Sequence, residues 1–357
     1  MKKTILILFG GKSSEYEVSL SSATGAIENM DTERYDVRLC GITREGRMYW
    51  FEDDPAMIAA DTWQSGKKYP LSVDFSDGTV VVMREGGAEH VHIDAVLPMI
   101  HGKFCEDGTM QGLFAVAGIP VVGCDCQSSA VCMDKAAAKA LVAGETSIRL
   151  AKAVVVKAEA VRDEGDLLRI REEAEEKFGY PMFVKPSRAG SSVGVTKVKT
   201  ADGFVEAVRA ALREDTKVLV EECIVGREIE VAVLEEHGAY TVAHPAEIDT
   251  GSSEFYDYET KYISDASSFY LPARLSEEKQ DEVRRYAESV FRALDCRGFA
   301  RVDFFFVAGD GREDGTFVFN EINTLPGFTP ISMYPKMMVN DGISYPDLLS
   351  RLIESAL

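Results

Sequence analysis

No run in the chain approaches the ~18–20 consecutive apolar residues that a membrane-spanning helix requires, so a transmembrane protein is not expected. Basic residues are few. Lys and Arg number 39 against 59 Asp and Glu, a net charge of −20. Binding to a nucleic-acid backbone or an anionic membrane needs a basic face, so neither is an expected partner. A small anionic ligand held by a few buried lysines stays compatible with this balance. Histidine is scarce, with five residues and no H-E-x-x-H or H-x-x-E-H spacing. The seven cysteines contain one close pair, Cys124-Asp125-Cys126, without the second pair that a zinc site needs. They are read as buried free thiols. Met1–Phe9 imitates a signal peptide, two lysines and then apolar residues, but Ile5–Phe9 is too short and Gly10-Gly11-Lys12-Ser13 replaces a cleavage site. The expectation is a cytoplasmic protein.

At roughly 100–200 residues per domain, 357 residues predict two or three domains. With 46% hydrophobic and 27% charged residues, the composition is that of a folded chain. Thr4–Phe9 reads as a buried strand entering a glycine loop. Ser13–Asn29 follows as a helix with Ser13 or Ser14 as N-cap, then strands at Tyr35–Thr43 and Asp94–Ile100, the latter delivering His101-Gly102. A short helix is expected at Gly112–Ala117 and a strand and turn at Gly118–Gly123. This alternation predicts a parallel sheet with ligands beyond its carboxyl ends. Trp50–Gly87, rich in Asp, Gly and Ser, carries no assignable pattern.

Further on, one helix is expected over Ser129–Ala143, carrying Lys135 and Lys139, and another over Glu164–Phe178. Strands are expected at Lys152–Lys157, Met182–Lys185, Gly194–Lys199, Lys217–Glu222 and Glu228–Leu234, the last two joined near Gly226. A helix over Ser276–Leu294 precedes strands at Gly298–Val307 and Thr316–Asn323. The fold class is therefore α/β followed by α+β.

Two nucleotide signatures fail. Gly11-Lys12-Ser13 looks like the end of a P-loop, but Leu6 stands where the first glycine belongs. Gly118–Gly123 does not spell G-x-G-x-x-G, which disfavours a nicotinamide-dependent oxidoreductase. The strongest local signal is Val184–Gly194, where a strand delivers Lys185 into the small-residue loop Pro186–Val193. Such a loop lets backbone N–H groups approach phosphate oxygens, with the lysine adding charge. A plain hairpin tip with a surface lysine is the competing reading.

On the strands Arg301-Val302-Asp303 and Asn320–Thr324, side chains two apart share a face. Asp303, Glu321 and Asn323 are hard oxygen donors suited to Mg²⁺ or Mn²⁺. A solvated face with Arg301–carboxylate pairs is the alternative. Downstream, Pro326-Gly327 offers a backbone N–H and Ser332 a hydroxyl.

The ordered set His101-Gly102 with Glu106-Asp107-Gly108, Gln111-Gly112, Met133-Asp134-Lys135, the Lys185–Gly194 loop, Phe255–Glu259 with Lys261-Tyr262, Arg301-x-Asp303 and Glu321-x-Asn323-Thr324-x-Pro326-Gly327 resembles the D-alanine–D-alanine ligases of the ATP-grasp superfamily. The resemblance runs from Phe9 to about Met338. It implies a parallel-sheet N-terminal domain (1–123) followed by two α+β domains (124–220 and 221–357) that grip ATP. It implies a D-alanyl phosphate attacked by the amine of a second D-alanine, for peptidoglycan precursor synthesis.

By the same resemblance, Lys135 and Lys185 contact the ATP phosphates, the loop with Ser191 and Ser192 closes over them, Glu221, Cys223 and Ile224 meet the adenine, Glu228 the ribose, and Lys261 also belongs to the ATP site. Two Mg²⁺ ions (or Mn²⁺) fall to Asp303, Glu321 and Asn323. Glu15 anchors the first ammonium, with His101 near its carboxylate, and Ser191 and Tyr262 complete a trio with Glu15. Arg301 and the Gly327 N–H serve the oxyanion, while Ser332 and Met333 belong to the second-substrate pocket. A homodimer is implied. Retained Lys261-Tyr262 argues against D-alanyl-D-lactate formation, whereas D-serine as second substrate stays open. Departures from the family pattern are Cys105 in place of glycine, Ala189 in place of glutamate, Glu222 in place of lysine, and the segment Gly144–Ala151.

Overall fold

The computed structural model describes residues 2–249, 268–309, 315–329 and 331–357. Strand β1 (Lys3–Gly10) founds the first sheet; Ile5–Phe9 have no solvent exposure. Such a continuous apolar run suits a parallel strand covered on both faces. Helix α1 (Tyr16–Asn29) leads to β2 (Tyr35–Ile42), parallel to β1. The expected cap is corrected: no side chain caps α1, and Ser13 Oγ instead donates to His101 O (2.6 Å) and accepts the Glu15 N–H (3.2 Å).

The unassigned Trp50–Gly87 region is largely β. Strand β3 (Met48–Phe51), the short helix α2 (Ala56–Ala59), β4 (Lys68–Val73), β5 (Thr79–Arg84) and β6 (Gly87–His92) extend the sheet antiparallel from β2. Strand β7 (Ala95–Pro98) closes the other side parallel to β1. Gly118–Gly123 contributes only a bridge from Val121 to Val96 instead of the expected strand.

After α3 (Thr109–Val116) come α4 (Cys126–Met133) and α5 (Lys135–Glu145), where one helix was expected. Asp134 breaks it. Its backbone is extended, and its carboxylate accepts the Ala137 N–H as the N-cap of α5. The same carboxylate accepts from Ser187 Oγ (2.7 Å) and Lys217 Nζ (2.5 Å), fastening the start of α5 to the small-residue loop Pro186–Val193 and to Lys217.

The second sheet is antiparallel. After β8 (Arg149–Leu150) come β9 (Ala153–Lys157), α6 (Glu164–Lys177), β10 (Met182–Pro186), β11 (Thr196–Val198), α7 (Phe204–Glu214) and β12 (Lys217–Glu222), and the strand order is β11-β10-β12-β9. Leu167, Phe204 and Val208 of the helices pack on Val154, Val184 and Val220 of the strands.

The third sheet takes β13 (Arg227–Glu236), β14 (Ala239–Val242), β15 (Ala246–Asp249) and β16 (Ser268–Tyr270). Helix α8 (Glu277–Ala293) then precedes β17 (Phe299–Val307) and β18 (Thr316–Asn323), and β18 also pairs with β8. Strands β12 and β13, expected to be joined near Gly226, are so joined but lie in different sheets, and residues 223–226 cross between them. Residues 151–152, between β8 and β9, cross the same seam, and the Glu222 N–H donates to Lys152 O (3.0 Å). Helices α9 (Met333–Asn340) and α10 (Tyr345–Ala356) bury Tyr334, Leu348 and Leu352 in the core of the first sheet, so the chain's last elements return to its first.

Candidate active site

Two cavities adjoin where the sheets meet. One, of about 460 Å³, lies between the second and third sheets; the other, of about 100 Å³, faces the β1 loop and the ends of β17 and β18. Lys135, Gly190, Ser191 and Glu321 line both.

The larger cavity gathers Lys135, Lys185, Ser192, Cys223, Ile224 and Glu228, with Glu221 on its wall. Lys185 and Lys139 both bond the buried Glu221 carboxylate. Burial works to raise the Glu221 carboxyl, but the two lysine charges outweigh it and hold it at about 2. Burial lowers Lys139, to about 8, against the opposing pull of Glu221. Lys139 was not among the expected site residues. Its i, i+4 spacing from Lys135 places both on one helix face, which was the available signal.

Lys135 Nζ donates to Ala189 O (2.8 Å) and pairs with Glu321 (3.1 Å). Since the Ala189 contact is through its carbonyl, the residue's side chain is not needed for it. Ser191 and Ser192 have φ of +48° and +58°, a left-handed pair that non-glycine residues rarely adopt. This turn aims Ser191 Oγ at Glu15, to which it donates. Glu15 sits against two glycines: a β-carbon on Gly102 would lie 2.4 Å from Glu15 Oε2, and one on Gly190 3.1 Å. Glu15 and Ser191 are thus brought together, whereas Tyr262 and Lys261 lie outside the described residues.

The smaller cavity holds Glu15, His101, Arg301, Gly327, Ser332 and Met333. His101 is engaged at both ring nitrogens, Nε2 with Ser22 Oγ and Nδ1 with Leu325 O, each at 2.9 Å. Burial would lower its pKa, but the carboxylates of Glu106 and Glu15 raise it above the ordinary imidazole value. Nearby Cys105 is 1% exposed, and burial followed by the charges of Glu106, Asp107 and Glu15 pushes its thiol well up. Ser332 Oγ accepts the Thr329 N–H (3.1 Å) and bonds Thr329 Oγ1 (2.7 Å).

Strand register sets Asp303 opposite Glu321 and Arg301 opposite Asn323, with a bulge after Asp303. Arg301 forks onto Asp303 and reaches Glu230 at 3.4 Å. Asn323 Oδ1 accepts the Leu325 N–H at 3.0 Å. The donor set Asp303, Glu321 and Asn323 contains only hard oxygens on adjacent strands, which fits Mg²⁺ or Mn²⁺ better than zinc. Among the described residues, one group of three His, Cys, Asp or Glu ligand atoms lies close together: Asp74 and Asp77 in the turn between β4 and β5, and His90 on β6. No helix among them is long and apolar enough to cross a membrane.

Comparison with known proteins assigns residues 4–124 to "D-ala D-ala ligase N-terminus" and 144–354 to "D-ala D-ala ligase C-terminus". The D-alanine–D-alanine ligase of Acetivibrio thermocellus is 42% identical over 372 residues, covering 100% of this chain and 96% of that protein. That of Caldicellulosiruptor bescii is 41% identical, covering 100% and 95%. Among solved structures, the VanG D-Ala:D-Ser ligase from Enterococcus faecalis superposes with a TM-score of 0.89 at 40% identity, covering 100% of both chains. The D-alanine–D-alanine ligase from Coxiella burnetii does so at 0.83 and 34%, covering 99% of this chain and 94% of that one. The fold is therefore ATP-grasp, and the chain belongs to the D-alanine–D-alanine ligase family, a family of ATP-dependent ligases.

Proposed function

We propose that this ligase joins two D-alanines through a D-alanyl phosphate, with ATP in the larger cavity and the two amino acids in the smaller. The observation that carries the reading is the shared wall: Lys135, Gly190, Ser191 and Glu321 face both cavities, so a γ-phosphate and an amino-acid carboxylate can meet there. Lys135 and Lys185 hold phosphate oxygens, Ser191 and Ser192 close the loop over them, and Lys261 adds charge. Glu221, Cys223 and Ile224 receive the adenine and Glu228 the ribose. Asp303, Glu321 and Asn323 hold two Mg²⁺ ions or their Mn²⁺ equivalents, which neutralise the charge that builds on the phosphates.

Glu15 takes the first ammonium, oriented by Ser191 and, in this reading, Tyr262. The amine of the second D-alanine then attacks the acyl phosphate carbonyl. Arg301 and the Gly327 N–H stabilise the resulting oxyanion, a contribution of roughly 3–4 kcal/mol per donor. Ser332 fixes the second carboxylate and Met333 lines its pocket. His101 acts in this reading from beside the first substrate. We place the enzyme in the cytoplasm as a homodimer, divided into units 1–123, 124–220 and 221–357, supplying peptidoglycan precursors.

The test is mass spectrometry of products formed with ATP, Mg²⁺ and equimolar D-alanine, D-serine and D-lactate. D-alanyl-D-alanine is expected to predominate. The fold match to a D-Ala:D-Ser ligase makes D-alanyl-D-serine the second reading; its predominance would overturn D-alanine as second substrate.

A further inference from the structure

The turn carrying Gly327 is held by His101, which lines the smaller cavity, and by Ser22 and Tyr345, which line neither cavity. Phe328 donates its N–H to Ser22 Oγ on α1 (3.2 Å), and its carbonyl accepts from Tyr345 Oη on α10 (2.6 Å). At the other end of the turn, Leu325 O accepts from His101 Nδ1, while His101 Nε2 bonds the same Ser22 hydroxyl. The connections form a closed circuit: Phe328 N–H, Ser22, His101, Leu325 O, and back through the turn. A carbonyl can only accept, so Nδ1 carries a proton in either charge state of the ring, and the circuit persists in both. Ser22, His101 and Phe328 are all buried, so each bond is made away from water, where an unpaired partner is costly. The Phe328 ring is wedged edge-on between Phe299 and Tyr345.

We propose that Ser22 and Tyr345 are positioning residues for the ligation. With His101, they fix the Leu325–Phe328 turn so that the Gly327 N–H faces the reacting carbonyl. His101, beside the first substrate, thereby also acts through the turn. The inference rests on the oxyanion role given to Gly327 above. Gly25 supports it independently. A β-carbon there would lie 2.8 Å from Phe328 O and 3.3 Å from Tyr345 Oη, so Gly25→Ala must displace the turn's backbone although alanine is the better helix former.

The experiment compares wild type with Tyr345→Phe, Ser22→Ala and Gly25→Ala. The readouts are kcat, the KM values for ATP and D-alanine, and the affinity for a phosphinate analogue of the tetrahedral adduct. A displaced donor costs on the order of 10- to 100-fold in kcat. The expected result is such a loss in all three variants, ATP affinity within about twofold, and analogue affinity falling in step with kcat/KM. Wild-type kcat in folded Tyr345→Phe and Gly25→Ala would overturn the proposal. So would a lower kcat with undiminished analogue affinity, which would mark a merely structural role. Failure of the underlying reading looks different: the wild-type enzyme would bind the analogue no better than D-alanine, and the proposal would fall with it.

Discussion

Arg301 and Asp303, two residues apart on β17, close on each other through a two-pronged pair, Nε to Oδ1 at 2.8 Å and Nη2 to Oδ2 at 2.7 Å. The residue proposed for the oxyanion and a residue proposed for the metal thus hold one another in place. A planar guanidinium can keep that fork while presenting another N–H to the cavity, which a lysine cannot do. Arg301→Lys is expected to fold, with a urea midpoint near that of wild type, and to lose about 100-fold in kcat. Removing the charge is harsher. Arg301→Ala leaves Asp303 and Glu230 buried without that cation, at a cost of about 3–5 kcal/mol in urea unfolding. Undiminished turnover in Arg301→Lys would take the fork out of catalysis.

Glu221 makes acid stability testable. Its carboxyl is held at about 2, below the ordinary value of 4.5, so between those pH values the unfolded chain binds more protons than the folded one. Its contribution is present above pH 4.5 and is lost as pH falls toward 2. In urea titrations across this window, wild type should lose stability more steeply than Glu221→Gln. Equal slopes would show that the two lysines do not hold the carboxylate ionised.

Gly102 adjoins the Glu15 carboxylate and has a φ of +73°. Gly102→Ala is strained both by backbone and by its clash with Glu15. The expected result is a D-alanine KM raised about tenfold or more, with the ATP KM little changed, since a misplaced carboxylate affects the amino-acid subsite. A rise confined to the ATP KM would detach Glu15 from the first ammonium.

The cysteines should sort by place. Cys126 is exposed, Cys223 is half-buried in the larger cavity, and Cys105 is buried with its thiol pushed up. Since the thiolate is the reactive form, iodoacetamide followed by peptide mapping is expected to label Cys126 and Cys223 and to spare Cys105. ATP should protect Cys223 without affecting Cys126. Labelling of Cys223 that ignores ATP would remove it from the nucleotide site.

What could be read from the residues follows from how strongly each segment is buried. Strands β1, β10, β12, β17 and β18 carry apolar runs or alternations that survive in the sequence because their packing demands them. The β3–β6 extension was invisible: its strands are only 4–6 residues long, and Gly87–His92 is almost wholly solvent-facing, so no hydrophobic period marks it. The break at Asp134 escaped because an N-cap aspartate within a helical pattern resembles any polar surface position. The motif residues were legible as chemistry. Their companions Ser22 and Tyr345 were not, because each acquires its partner from a distant segment, as Tyr345 does from Phe328, and Lys139 showed only through its spacing from Lys135.

The two crossings between the second and third sheets, at 151–152 and 223–226, are tied to each other by the Glu222–Lys152 bond. Everything between them therefore enters and leaves through one doorway. The second sheet with its two helices is an insert in the third, joined along the chain at a single place and otherwise held by side-chain ties such as Asp134 to Lys217 and Lys139 to Glu221, and its own core of Val184, Phe204 and Val220 travels with it. Such a module can tilt as a body without disturbing a hydrogen bond in either sheet. It could also be exchanged for that of a relative by cutting at two neighbouring points, leaving β13, β17 and β18 in register.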